Sequence, residues 1–258
     1  MPNMLRFAKS SSDWTNNELC AYNITVVPQT KEQFFGSAEL IRPTNPPIVG
    51  FMEVENRGGA EDSETRKLLH YLDLALDPKV GQESAVGNFA SKLLEKLGYD
   101  AEERIIFMRH ALPFEICGTT SLTQTDVCIM DDNEILCLVH EDKRATNIKD
   151  PEPQVIAEAI ATFALNNKTR DKYNLQPRNR AFIPAITMTG TYPTFYKIPV
   201  TTQLSQATQQ GIYCQPETRV LRFSPVLPTR TSLGMRFLDN RGEIVACLEA
   251  FKQFLGPE

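Results

Sequence analysis

Asp126, Glu141, Lys143 and Gln154 are the residues of this chain whose types and spacing could do chemistry together. They fall in one stretch, TDVCIMDDNEILCLVHEDKR followed by ATNIKD and PEPQ, running from Thr125 to Gln154. An Asp lies on one apolar run, a Glu-x-Lys ends the next, and a Gln opens the helix that follows. Two carboxylates and an ammonium converging on one face of a sheet can hold a divalent metal and a phosphate together. The chemistry would be metal-assisted hydrolysis of a phosphodiester.

The elements that must position these groups can be read from the residues around them. Asp131, Asp132, Asn133 and Glu134 are turn formers between Val127–Met130 and Ile135–Val139, which predicts a β-hairpin. A turn centred on Asp132-Asn133 sets Met130 against Ile135, Cys128 against Cys137 and Asp126 against Val139. Asp126 then shares a face with Glu141 and Lys143, and sits roughly 7–8 Å diagonally from Glu141. A slip of one residue would pair Asp126 with His140 instead and separate the carboxylates. Asp126 and Glu141 carboxylates on opposite faces would sink both nuclease readings, with or without catalysis. Asp150 is the expected N-cap and Pro151 the first residue of the next helix, with Gln154 and Glu158 one turn apart on one face. Gln154 therefore lies near a helix start, where backbone N–H groups favour an anion. Upstream, Glu83 opens a helix over Ser84–Leu97, striped with Val86, Phe89, Leu93 and Leu97 and stopped by Gly98. Strands follow at Arg104–Arg109 and about Pro113–Cys117, giving the order helix, strand, strand, strand, helix, then a strand at Ala185–Thr189.

That order, with Glu83, Asp126, Glu141-x-Lys143 and Gln154 in it, resembles the PD-(D/E)XK nuclease superfamily over about residues 83 to 200. The stretch GTYPTFYKIPVT and the run to LEAFKQF are also similar to uncharacterised nuclease-like proteins of mushroom-forming fungi. The resemblance implies an α/β (α+β) fold with a restriction-endonuclease-like core, a mixed sheet of about four strands flanked by helices. It implies that Asp126 and Glu141 are ligands of Mg²⁺ or Mn²⁺, and that Lys143 positions the phosphate or the attacking water. Gln154 would assist there, with Arg144 beside Lys143 on the substrate, and Glu83 would be the accessory acid. Thr125, not Pro, precedes Asp126, at a position that is loose in this superfamily. Asn88 and Glu95 compete with Glu83. The function implied is a nuclease, with DNA favoured over RNA. The alternative is a nuclease-fold protein that binds nucleic acid or protein without cutting, and an unrelated α/β protein with a structural Glu–Lys pair is the third reading.

The whole-chain numbers set bounds. A net charge of −5 argues against a broad nucleic-acid surface, which normally shows a basic stripe. The charge is uneven: acidic stretches such as GGAEDSE and YDAEE lie early, and a basic run from Lys143 through Arg144, Lys149, Lys168, Arg170, Lys172, Arg178 and Arg180 lies later. Gathered on one face, that run would make a basic groove beside the site. Six cysteines include no CxxC, and no Cys/His spacing suits zinc. Cys128 and Cys137 read as two small buried thiols. His140 reads as a packing or hydrogen-bonding residue. No run of apolar residues is long enough to span a membrane, and MPNMLRFAKSSSDW has no secretory pattern. An intracellular protein of the cytoplasm or nucleus is expected.

The rest of the chain reads as one domain, 1–258, with an N-terminal elaboration over 1–80, the nuclease-like core over 83–200 and a C-terminal extension over 201–258. A strand is expected at Ala21–Val27, a strand or buried run at Ile48–Val54 and a helix at Glu61–Leu76. Strands at Ala185–Thr189 and Thr194–Val200 flank a Gly190–Pro193 turn. A short helix spans Thr201–Gln210, residues 213–235 are loop-rich, and a helix covers Gly242–Phe254. Phe195-Tyr196-Lys197 could stack bases, but aromatics in a strand are more often core.

Overall fold

In a computed structural model that describes residues 6–82, 84–142 and 150–256, seven strands form one mixed sheet. They are β1 (Ile24–Pro28), β2 (Ile105–Ile116), β3 (Thr119–Met130), β4 (Ile135–Asp142), β5 (Arg180–Thr189), β6 (Tyr192–Thr201) and β7 (Thr218–Phe223), in the spatial order β1-β7-β6-β5-β4-β3-β2. The pairs β1–β7 and β4–β5 are parallel and the others antiparallel. The helices are α1 (Asn16–Ala21), α2 (Lys31–Phe35), α3 (Pro46–Glu53), α4 (Ser63–Leu76), α5 (Ala85–Lys96), α6 (Glu152–Lys172), α7 (Thr202–Gln210) and α8 (Leu238–Phe251).

The sheet is larger than the expected four strands: the strand expected at Ala21–Val27 joins it as β1, and β7 was not expected. β7 reads TRVLRF, with two arginines interrupting its apolar positions, and it lies in the stretch expected to be loop. β1 pairs with β7 alone, Ile24 beside Thr218 through Pro28 beside Arg222, while β7 lies between β1 and β6. The run Ile48–Val54 lies in a helix and not in a strand. Pro46 and Pro47 open it, and Ile48 and Phe51 bury one turn apart. A seven-residue apolar run does not tell strand from helix by periodicity alone.

Each face of the sheet carries its own core. Val127, Ile129, Cys137, Val139, Ile186 and Phe195 pack with α3, α4, α5 and α8, through Phe51, Leu69, Phe89 and Phe251 among others. On the opposite face Cys128, Leu138, Ala185 and Ile198 pack with α6 and α7, through Val155, Ile160, Phe163 and Leu204. The parallel step from β4 to β5 needs a crossover, and α6 supplies it. α6 is buried nearly all round from Glu152 to Phe163. A second wall covers its outer side, where Leu112, Phe114 and Ile116 of β2 pack with Trp14 and Tyr22. The rings of Trp14 and Tyr22 stack at 5.5 Å.

That second wall exists because the β2–β3 hairpin rolls over partway along its length. Ile106 packs on the α5 side, yet Leu112, Phe114 and Ile116, an even number of residues further on, pack on the α6 side. In a flat strand residues an even number apart share a face. The roll is centred on Arg109, whose φ is +56°. On β3 the same change appears between Val127, which faces α5, and Thr123, whose hydroxyl meets that of Ser11. The two strands expected at Arg104–Arg109 and Pro113–Cys117 are thus one strand with a kink. Pro113 is tolerated because β2 is the last strand of the sheet.

Where α3, α8 and the segment before α8 meet, Arg241 is 2% exposed. Its guanidinium donates to the carbonyls of Met235, Phe51, Val54 and Glu55 at 2.7–3.1 Å.

Candidate active site

The hairpin forms where the sequence predicts it, but its register does not. Met130 pairs with Ile135 as expected, then a bulge between Ile129 and Met130 shifts the rest by one. Ile129 faces Cys137, Cys128 faces Leu138 and Val127 faces Val139. Two expectations fall with this. Cys128 and Cys137 are not opposed; both are free and buried, in cores on opposite faces. Asp126 does not share a face with Glu141, and continuing the ladder brings it level with His140 instead. One extra residue at the bulge reverses every later side chain, and the turn formers Asp131–Glu134 gave no sign of it.

The two carboxylates nevertheless sit at one end of the sheet. The β3–β4 pairing stops at Val127 and Val139. Just beyond it, Oδ2 of Asp126 accepts the backbone N–H of Glu141 at 2.8 Å. The Asp126 side chain thus lies in the gap where the strands part, at the point where β3 rolls from one face to the other. Glu141 is 6% exposed and leans to the α5 side, where its Oε2 accepts the N–H of Gly87 at 3.1 Å. Gly87 lies in the first turn of α5, so the helix start holds this carboxylate with an N–H aimed at it.

On the α6 side a line of polar groups leads away from Asp126. His140 Nδ1 lies 3.4 Å from Asp126 Oδ2 and 3.6 Å from Glu158 Oε1, without a well-formed hydrogen bond to either. Glu158 is wholly buried, and Gln154 Nε2 donates to its Oε1 at 3.0 Å. Its Oε2 meets no hydrogen-bonding partner among the described residues. Burial pushes the Glu158 carboxyl up to about 7, with the Asp126 charge adding to the rise and His140 and Gln154 opposing it. α6 begins one residue later than expected: Pro151 is the residue before it, and Asp150 accepts the N–H of Glu152 at 3.0 Å.

Of the residues singled out from the sequence, Asp126, Glu141 and Gln154 come to the same end of the sheet. Glu83, Lys143 and Arg144 lie outside the described residues. The expected basic groove beside the site does not form from Arg170 and Arg178. Both pair with Glu134, at 2.5 and 2.6 Å, just before the opposite end of β4. The aromatic triplet is structural: Phe195 and Tyr196 are buried, and Lys197 lies over the rings of Phe34 and Phe254. Three residues at this end of the sheet had no role in the site from sequence. Glu158 was visible as the helical neighbour of Gln154, His140 needed the correct register, and Gly87 looked like an ordinary helix glycine.

Gly87 leaves room for Glu141. A Cβ at this position would stand 3.0 Å from Glu141 Oε2. In Gly87→Ala the gain in helix propensity, about 1 kcal/mol, should be offset by the crowding of the carboxylate. We expect urea unfolding to show a net stability change below about 1 kcal/mol. A much larger loss would mean that the carboxylate cannot move aside.

No protein-family model matches the chain, and no curated protein matches it. Among the described residues no helix is long and apolar enough to cross a membrane.

Proposed function

We propose that this protein is a metal-dependent phosphodiesterase of the nuclease kind, acting on nucleic acid, with DNA favoured, and built on a restriction-endonuclease-like core. The observation that carries the reading is the position of Asp126. Its carboxylate lies between the parting strands β3 and β4, hydrogen-bonded to the main chain of Glu141 at 2.8 Å. The order α5-β2-β3-β4-α6-β5 supports it as well. The centre would then lie at the end of the sheet between the starts of α5 and α6, and not on one face.

Carboxylate oxygens are the donors that suit Mg²⁺ or Mn²⁺. Among the described residues no three His, Cys, Asp or Glu side chains form a group that could hold an ion by themselves. A small hard cation does not ask for such a cage, since it keeps several waters and takes one or two carboxylates together with substrate phosphate oxygens. Asp126 and Glu141 would hold it. Once bound, the metal would polarise the phosphoryl oxygen and make an attacking hydroxide available near neutral pH. The chain's own groups have separate tasks. The Gly87 N–H fixes one oxygen of Glu141. The Glu141 N–H fixes one oxygen of Asp126. Gln154 orients Glu158 behind His140. Lys143, two residues after Glu141, is assigned the charge that grows on the phosphate.

A second reading has an observation of its own. The two carboxylates lean to opposite sides of the sheet, and Glu141 already caps α5, which gives a buried carboxylate a structural reason to be there. That counts against both nuclease readings, cutting or binding, and favours an unrelated α/β protein whose hairpin charges are structural.

Cleavage of single- and double-stranded DNA and RNA in Mg²⁺, Mn²⁺ and EDTA separates the two. The native chain is compared with Asp126→Ala and Lys143→Ala. We expect metal-dependent cutting that falls to the EDTA level in both variants. A well-folded native chain that cuts nothing in either metal would leave the non-catalytic readings standing.

A further inference from the structure

Building on the nuclease reading, we propose that the kinked outer edge of β2, with Phe107, Arg109 and His110, is the docking edge for single-stranded nucleic acid entering the Asp126–Glu141 centre. Met108 pairs with Val127 and His110 with Thr125, so Arg109 stands level with Asp126 on the neighbouring strand. Its φ of +56° is a left-handed conformation. An arginine has no backbone advantage there and a glycine would adopt it freely. The side chain is exposed, and among the described residues its guanidinium pairs with no carboxylate. A cation in a strained conformation one strand away from Asp126 and two from Glu141 is placed to take a phosphate next to the scissile one.

The kink also builds an aromatic pair. In a flat strand residues three apart point to opposite faces. Here the rings of Phe107 and His110 lie 5.4 Å apart, edge to face, because the left-handed residue between them turns the chain. Phe107 remains 45% exposed. A ring offered at the open edge of a sheet can stack only on a base that is not already stacked in a duplex, which selects a single strand. The net charge of −5 points the same way, since broad duplex binding relies on a wide basic surface.

The test uses the full chain in EDTA, where cutting is off, and reads the fluorescence anisotropy of a short labelled oligothymidylate and of a duplex of equal length over a range of salt. Arg109→Gly suits the left-handed backbone and should fold at least as well as the native chain, which a thermal melt would confirm. It should weaken single-strand binding by roughly fivefold or more and lower the log–log salt slope by about 0.7, the share of one phosphate contact. Phe107→Leu, which keeps bulk but loses the ring, should weaken binding by roughly fivefold or more with the slope unchanged. Binding by both variants within about twofold of native, or a native chain that prefers the duplex, would overturn the proposal. If the native chain still cuts in metal, the nuclease reading survives that result; if it neither binds nor cuts, both fall.

Discussion

Replacing Arg241 by methionine should cost the fold about 3 kcal/mol or more, although the position is far from the carboxylates. The guanidinium is buried and donates to five backbone carbonyls, those of Phe51, Val54, Met235 and Glu55 and, at 3.5 Å, Arg236. Phe51 ends a buried turn of α3 and Met235 precedes α8, so one side chain ties two segments that lie about 190 residues apart in sequence. Methionine fills much of the volume but donates nothing. Each carbonyl left out of water without a partner costs about 1–3 kcal/mol. The loss is partly offset, because burying a guanidinium is itself unfavourable: burial lowers the pKa of Arg241, against the pull of Asp73 and Glu55. Urea unfolding of the two chains at neutral pH measures the difference. A methionine variant as stable as the native chain would show that water reaches these carbonyls.

Raising the pH from about 5 to 8 should destabilise the native chain through Glu158, and Glu158→Gln should remove that part of the slope. Burial lifts this carboxyl from the ordinary 4.5 to about 7. The folded state therefore holds a proton that the unfolded chain has already released. The stability tied to that proton is fully present below pH 4.5 and is lost as pH rises through about 7. Linkage puts the whole change at about 3 kcal/mol. Glutamine keeps the hydrogen bond from Gln154 and cannot ionise beside Asp126 and His140. The difference between the two chains cancels the titrating groups that do not interact with Glu158. Urea midpoints taken across this range should diverge upward in favour of the glutamine variant, and parallel curves would show that Glu158 ionises as an ordinary carboxylate.

Sequence reasoning reached the elements more readily than the register. The helix from Ser63, the helix after Ser84 and the strands at 180–201 announce themselves by apolar period and by stops at Asp77-Pro78, Gly98 and Gly211. The hairpin turn is equally plain in Asp131–Glu134. What decides the chemistry is subtler. A single bulge after Ile129 moves Asp126 from beside Val139 to beside His140, and both faces of these strands are apolar enough to accept either register. The roll at Arg109 was equally hidden, because nothing in FMRHAL marks a left-handed residue that is not glycine or asparagine. β7 escaped for a third reason: two arginines interrupt its apolar positions, so TRVLRF reads as loop, whereas β1 falls on the strand expected at Ala21–Val27.

The pairing of β1 with β7 bears on how the protein is made. β1 has one neighbour in the sheet, and that neighbour begins 190 residues after β1 ends at Pro28. At ribosomal speeds of about 5–20 residues per second, roughly ten to forty seconds pass between the synthesis of the two. For all that time the Ile24–Pro28 segment emerges from the ribosome with an open backbone and no partner. The helices α4 and α5 contact each other and can pack early, but closure of the sheet waits for the last quarter of the chain. Truncation before Thr218 therefore removes more than a C-terminal piece: it orphans the first strand as well.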